Sequence, residues 1–157
     1  MKPRPVYTNA IQRAIESSRK LPADAQRELK AIVQRSRDEF VKQVDTVANW
    51  RALADALNQA EALAGFGICS DAESIDAIEG AQTVLSRVWS SHAGGGSWAL
   101  FSTEITALDE GLLRHRIQLE HCSLGEYGRA TKAVRNRVQA ALAGNAGKRV
   151  TVLGGAA

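Results

Sequence analysis

Residues 102–127, STEITALDEGLLRHRIQLEHCSLGEY, decide the fold of this chain. Leu108, Leu112, Leu119 and Cys122 recur at steps of four, seven and three, the period of one face of an α-helix. Ser123 and Glu126 then form the S-x-x-E pattern of a capping box. There a serine side chain accepts from an orphan helix amide, and the glutamate accepts from the cap's own amide. Cys122 and Tyr127 flank the box where an apolar pair would staple the entry. The expectation is a helix from about Thr103 to Cys122, a capped turn, and a last helix burying Tyr127, Ala130, Val134, Val138 and Ala141.

Upstream, Ser70-Asp71-Ala72-Glu73 repeats the S-x-x-E pattern. The helix it opens carries Ile75, Ile78, Gln82, Leu85 and Trp89 on one face and ends at a glycine-rich loop from His92 to Ser97. Trp98, Leu100 and Phe101 are expected to plug the core before the next helix. Further back, Pro22 suits a first helical turn, and Leu29, Val33, Phe40 and Val44 mark a helix behind it. That stripe continues in phase into Val47, Trp50, Leu53, Leu57 and Ala64 with no Gly or Pro between. Two helices are expected rather than one, because unbroken helices above about 40 residues are rare in small domains. Thr8 caps a short first helix, with Ile11, Ala14 and Ile15 on one side, that Leu21 and Pro22 end.

The predicted architecture is an all-α, single-domain bundle of five or six helices with short loops. An extended arm covers 1–7, the bundle 8–145, and a non-helical tail 146–157, in which Val150–Leu153 is an isolated strand-like run. A chain of 157 residues buries about 70% of its unfolded surface and needs no metal or disulfide. Cys69 and Cys122 show no CxxC spacing, so both are expected as reduced, buried thiols. The first twenty residues hold no long apolar core, and no run of about 18 apolar residues occurs. The expected setting is cytoplasmic, with no membrane contact.

Charge is segregated. Residues 1–43 hold ten Lys/Arg and five Asp/Glu, residues 44–128 four and twelve, and residues 129–157 six and none. Either the basic ends pack on the acidic middle, or they meet something anionic.

Several activities fail on spacing. His115 and His121 are separated by about 240° around a helix and cannot share a metal. No ExxH or HExxH pattern occurs, so neither a metal nor another cofactor is expected. His115 and Cys122 share a face but lie about 10 Å apart along the axis, too far to activate the thiol. No catalytic residue is assigned. Residues 144–148 depart from the phosphate-loop spacing. A helix-turn-helix over 63–79 would turn Asp71, Glu73 and Asp76 toward phosphates.

Three features remain. Glu61, Gln82, Glu104, His115 and Gln118 lie on otherwise apolar faces, and buried polar groups must be paired. They form either an internal network, for example Glu61 with His115, or a small-ligand pocket or enzyme site around Glu61, Glu104 and His115. Leu113 and Ile117 lie away from the core face of their helix and form a candidate protein-partner surface, including a homodimer. Arg129, Lys132 and Arg135, with Arg27, Lys30, Arg35, Arg37 and Lys42 on another helix, offer basic faces to nucleic acid, or are solvated faces matched by acidic neighbours.

The runs Trp50-Arg-Ala-Leu-Ala-Asp-Ala-Leu-Asn58 and Glu61-Ala-Leu63, and later His115-Arg-Ile-Gln-Leu-Glu-His-Cys-Ser with Gly125-Glu-Tyr127, resemble small uncharacterised helical proteins of proteobacterial phages and prophages. The resemblance spans about Trp50 to Asn145 and transfers no site residue. It implies a non-enzymatic module that binds and regulates or inhibits a host or phage protein or nucleoprotein.

Overall fold

The structure, a computed structural model, describes residues 6–144 and is an all-α bundle. Its helices are α1 (Val6–Ser18), α2 (Ala23–Val41), α3 (Thr46–Gly65), α4 (Ala72–Ala93), α5 (Ser102–His121) and α6 (Leu124–Leu142). Helix α1 opens two residues before Thr8. Pro22 is the residue before α2 rather than part of its first turn. Residues 1–5 and 145–157, the strand-like run at 150–153 among them, lie outside the described residues.

The continuous stripe of residues 29–64 breaks into α2 and α3 without glycine or proline. Gln43 and Asp45 take the left-handed conformation, with φ of 58° and 46°, a region that costs most side chains and is tolerated best by Asn and Asp. Asn49 holds the turn: its side-chain amide donates to Val44 O at 2.9 Å and to Glu39 at 3.0 Å. Val44 falls in this turn and is 51% exposed, so the core stripe of α2 ends at Phe40.

Capping is as expected at Ser123, whose Oγ accepts from the Glu126 amide at 3.1 Å while Glu126 accepts from the Ser123 amide at 2.7 Å. At α4 the cap is Asp71, not Ser70. Asp71 accepts from the Ser74 amide at 2.9 Å and from the Ser74 hydroxyl at 2.7 Å. Aspartate caps as well as serine does, and the shift leaves Glu73 to pair with Arg114 at 2.9 Å.

Two apolar clusters fill the bundle. Phe40, Trp50, Leu53, Leu57, Leu85, Val88, Leu108 and Leu112 form one. Leu21, Leu63, Leu119, Cys122 and Ala130 form the other. Helix α5 supplies residues to both and joins them. It lies against α4 at Gly111, where an added Cβ would sit 2.3 Å from Ala81 Cβ and 2.9 Å from Ala77 O. Trp50 buries its ring and donates to Leu85 O at 2.9 Å, which satisfies the indole N–H.

Trp98 and Leu100 pack on the first cluster, but Phe101 is 69% exposed. The plug therefore has two residues, not three. The chain enters α5 extended, so alternate residues face opposite ways. Trp98 and Leu100 turn inward, while Phe101 lies beneath the Arg87 guanidinium, 5.6 Å from its ring centre.

Candidate functional site

Helices α2 and α5 are tied at two places. Arg37 makes a two-pronged ion pair with Asp109, at 2.7 and 2.6 Å, and Lys30 pairs with Glu120. Rising numbers on α2 meet falling numbers on α5 in reverse, so the helices are antiparallel. Arg37 and Lys30 are seven residues apart, about 10 Å along the axis. Between the bridges lies a cavity of about 360 Å³, at the small end of the range for ligand sites, about 300–1,000 Å³.

Buried Leu112, His115 and Leu119 form its inner lining, Val33 is half-buried beside them, and exposed Leu113, Arg116 and Gln34 stand at its mouth. His115 is 5% exposed, and its Nδ1 has no hydrogen-bond partner. Burial holds its pKa down at about 4, because desolvation disfavours the imidazolium. The ring is therefore neutral at pH 7, with one donor and one acceptor nitrogen. A buried polar atom left unpaired costs about 1–3 kcal/mol. No serine, threonine or cysteine lines the cavity.

The other polar residues singled out in the sequence do not converge here. Glu61 accepts from Arg137 of α6 at 2.9 Å and from Gln82 of α4 at 3.3 Å. The expected pairing of Glu61 with His115 is replaced by this link between α3, α4 and α6. The long Arg137 side chain brings its charge from a surface helix to a half-buried carboxylate. Glu104 accepts from the Phe101 amide at 2.8 Å and from Arg87 at 2.7 Å, closing the entry to α5. Gln118 is fully buried and donates to Ala60 O and Ile68 O, both at 2.9 Å, tying α5 to the end of α3. These residues hold elements together, so a site built jointly on Glu61, Glu104 and His115 does not form.

Leu113 is 51% exposed and Ile117 is half-buried. Leu113 also borders the cavity, so the exposed apolar residue and the unpartnered histidine belong to one groove. On α6, Arg129, Lys132 and Arg135 are exposed, and Arg129 stacks over Phe66, 5.3 Å from its ring centre. On α2 the basic residues are partly matched. Arg27 pairs with Asp24, Lys30 with Glu120, and Arg37 with Asp38 and Asp109. The α2 bridges to α5, with Arg137 to Glu61, join the basic ends of the chain to its acidic middle.

Sequence reasoning missed Asp109 and Arg116. The available signal was the spacing: Lys30 and Arg37 on one helix, Asp109 and Arg116 on another, each seven residues apart and so on one helical face.

Both thiols are free, and burial pushes both pKa values up, with Glu126 adding to the effect at Cys122 and Asp71 at Cys69. A higher pKa leaves less thiolate. With a chromogenic disulfide reagent at pH 7, half-buried Cys69 should react slowly in the native chain, and Cys122 only after denaturant is added. Rapid native labelling of Cys122 would contradict its burial.

Among the described residues no three His, Cys, Asp or Glu side chains gather to hold a metal, and no helix is long and apolar enough to cross a membrane. No family model matches this chain, and no curated protein or solved structure matches it either.

Proposed function

We propose that this chain is a non-enzymatic interaction module that binds and regulates a protein partner through the α2–α5 groove, in a cytoplasmic setting. The observation that supports this most is Leu113: a large apolar side chain, half in water, on the edge of an apolar-walled cavity framed by charge pairs. An apolar centre with a polar rim is the anatomy of a protein interface. Covering such a side chain stabilises a complex, at about 25 cal/mol per Å² of apolar surface removed from water. The resemblance to small phage proteins supports the same reading, since it implies action by binding a host or phage macromolecule. A second copy of the chain is one partner this surface would accept.

The exposed trio Arg129, Lys132 and Arg135 favours a second reading, binding to nucleic acid. These three have no ion pair among the described residues, so their charge is free to meet phosphates.

One experiment separates the readings. A tagged chain is used to capture partners from cells of its native host, alongside Leu113→Asp and a triple charge reversal at Arg129, Lys132 and Arg135. The groove reading expects one stoichiometric protein that Leu113→Asp loses and the triple variant keeps. Loss in the triple variant alone, with steep weakening by salt, would replace it with the nucleic-acid reading.

A further inference from the structure

We propose that α6 and the end of α3 form a binding face for single-stranded nucleic acid: α6 holds the phosphates, and Phe66 with Arg129 stacks an unpaired base. This inference rests on the second reading above, nucleic acid at Arg129, Lys132 and Arg135, and names the form of nucleic acid that the face accepts.

The outward side of α6 is cationic and carries no carboxylate. It presents Gly128, Arg129, Lys132, Arg135, Asn136 and Gln139, all exposed. Arg129 and Arg135 are six residues apart, about 9 Å along the axis. The three cations have no ion pair among the described residues.

Their surroundings do not neutralise them. Helix α6, the helices α1 and α3 that pack on it, and the link at 19–22 together hold eight Lys/Arg and four Asp/Glu. Of the four acids, Glu126 accepts from the Ser123 amide, Glu61 is held by Arg137, and Asp55 is opposed by Arg51. Glu16 remains, set against exposed Arg13, Arg19 and Lys20. Lys20 forms a β-bridge with Ser123, and Arg19 O accepts from the Leu124 amide at 2.7 Å, so this basic pair adjoins the start of α6. An excess of positive charge attracts a phosphate chain, and released counterions drive its binding.

Phe66 selects the single strand. It is 41% exposed and lies between Gly65 and Gly67, where nothing stands within 4 Å of an added Cβ, so the flanks of the ring are open. Arg129 lies over the ring. Stacking engages the flat face of a guanidinium and leaves its in-plane N–H donors for a phosphate. Bases stack on aromatic rings and on guanidinium planes alike. A base inside a duplex has both faces covered by its neighbours and cannot do so. The other exposed phenylalanine, Phe101, lies under Arg87, which is committed to Glu104.

The test is fluorescence anisotropy of the full chain with a labelled oligothymidylate of about fifteen nucleotides. A duplex of the same length and an abasic strand, which keeps the phosphates, serve as comparisons. The oligothymidylate should bind saturably. Contacts to three phosphates give a log–log salt slope of about −2, so affinity should fall about 20-fold between about 50 and 200 mM salt. The duplex and the abasic strand should each bind at least about fivefold more weakly, the loss of one stacked base. Phe66→Leu, which keeps apolar bulk without the ring, should lose the same factor with the salt slope unchanged, and Phe66→Tyr should keep full affinity. Arg129→Glu, Lys132→Glu and Arg135→Glu together should abolish binding, while Arg35→Gln, at an exposed residue of α2, should not alter it. Unchanged affinity in Phe66→Leu, or a duplex bound as tightly as the single strand, would overturn the proposal and leave the nucleic-acid reading of α6 standing. Absence of saturable binding of any strand up to about 1 mM protein would remove both.

Discussion

Gly111→Ala should destabilise the chain by about 3 kcal/mol, at the upper end of the usual cost of overpacking, and lower its melting temperature by roughly 6–12 °C. Within a helix the same change normally stabilises by up to about 1 kcal/mol, because alanine loses less backbone entropy than glycine. The sign reverses here because of what the methyl meets. It would lie 2.3 Å from Ala81 Cβ, 2.9 Å from Ala77 O and 3.3 Å from Leu57 Cδ2. Two of these atoms are fixed to the α4 backbone and cannot rotate away. Relief requires α4 and α5 to separate, which would loosen the first core cluster around Leu57, Ala81, Leu85, Leu108 and Leu112. Gly80→Ala is the control. It lies in α4 with nothing within 4 Å of the added Cβ, and should gain stability by up to about 1 kcal/mol. Urea unfolding of the three proteins measures both values. An unchanged or raised stability in Gly111→Ala would show that α4 and α5 do not meet at this glycine.

The second large effect is acid sensitivity through His115. Its folded pKa, about 4, lies below the ordinary value near 6.5. The unfolded chain therefore binds the proton more readily. The histidine's contribution is complete above about pH 6.5 and is lost as pH falls toward about 4, at roughly 1.4 kcal/mol per pH unit, or about 3 kcal/mol in all. Carboxylates titrate in the same region, so the informative quantity is the difference between the wild type and His115→Leu. That difference should change by about 3 kcal/mol between pH 7 and pH 4. At pH 7 the leucine variant should itself be more stable by about 1–2 kcal/mol, since it removes a buried atom without a partner. A pH-independent difference would place the imidazole in water rather than in the cavity lining.

Periodicity made the helices legible, and with them the two-sided character of α5, because apolar spacing is a local signal. The Ser123–Glu126 box was readable for the same reason, since both partners lie within one turn. Local reading failed where geometry or distance intervened. The α2–α3 turn rests on Gln43 and Asp45 in left-handed conformations, and neither residue announces this as a glycine would. At Ser70-Asp71-Ala72-Glu73 two capping residues stood side by side, and the pattern chose the wrong one. Phe101 was counted with Trp98 and Leu100, although alternation in an extended stretch sets it on the other side. The polar residues show the deeper limit. Their positions on core faces were legible, but the partners they find on other elements lie 17 to 76 residues away. Thus Glu61 went to Arg137 and His115 to none. The cavity itself arises from how far α2 stands from α5, a distance that no single helix encodes.

The central claim is that the α2–α5 groove is the working surface of this chain. Photo-crosslinking in cells of the native host tests it most directly, with a benzophenone amino acid placed at Leu113 in one protein and at Lys132 in another. The account predicts a discrete protein adduct from position 113, weakened by a charge reversal at Arg116, and none from position 132. A discrete adduct from position 132 with none from position 113 would contradict it and move the working surface to α6.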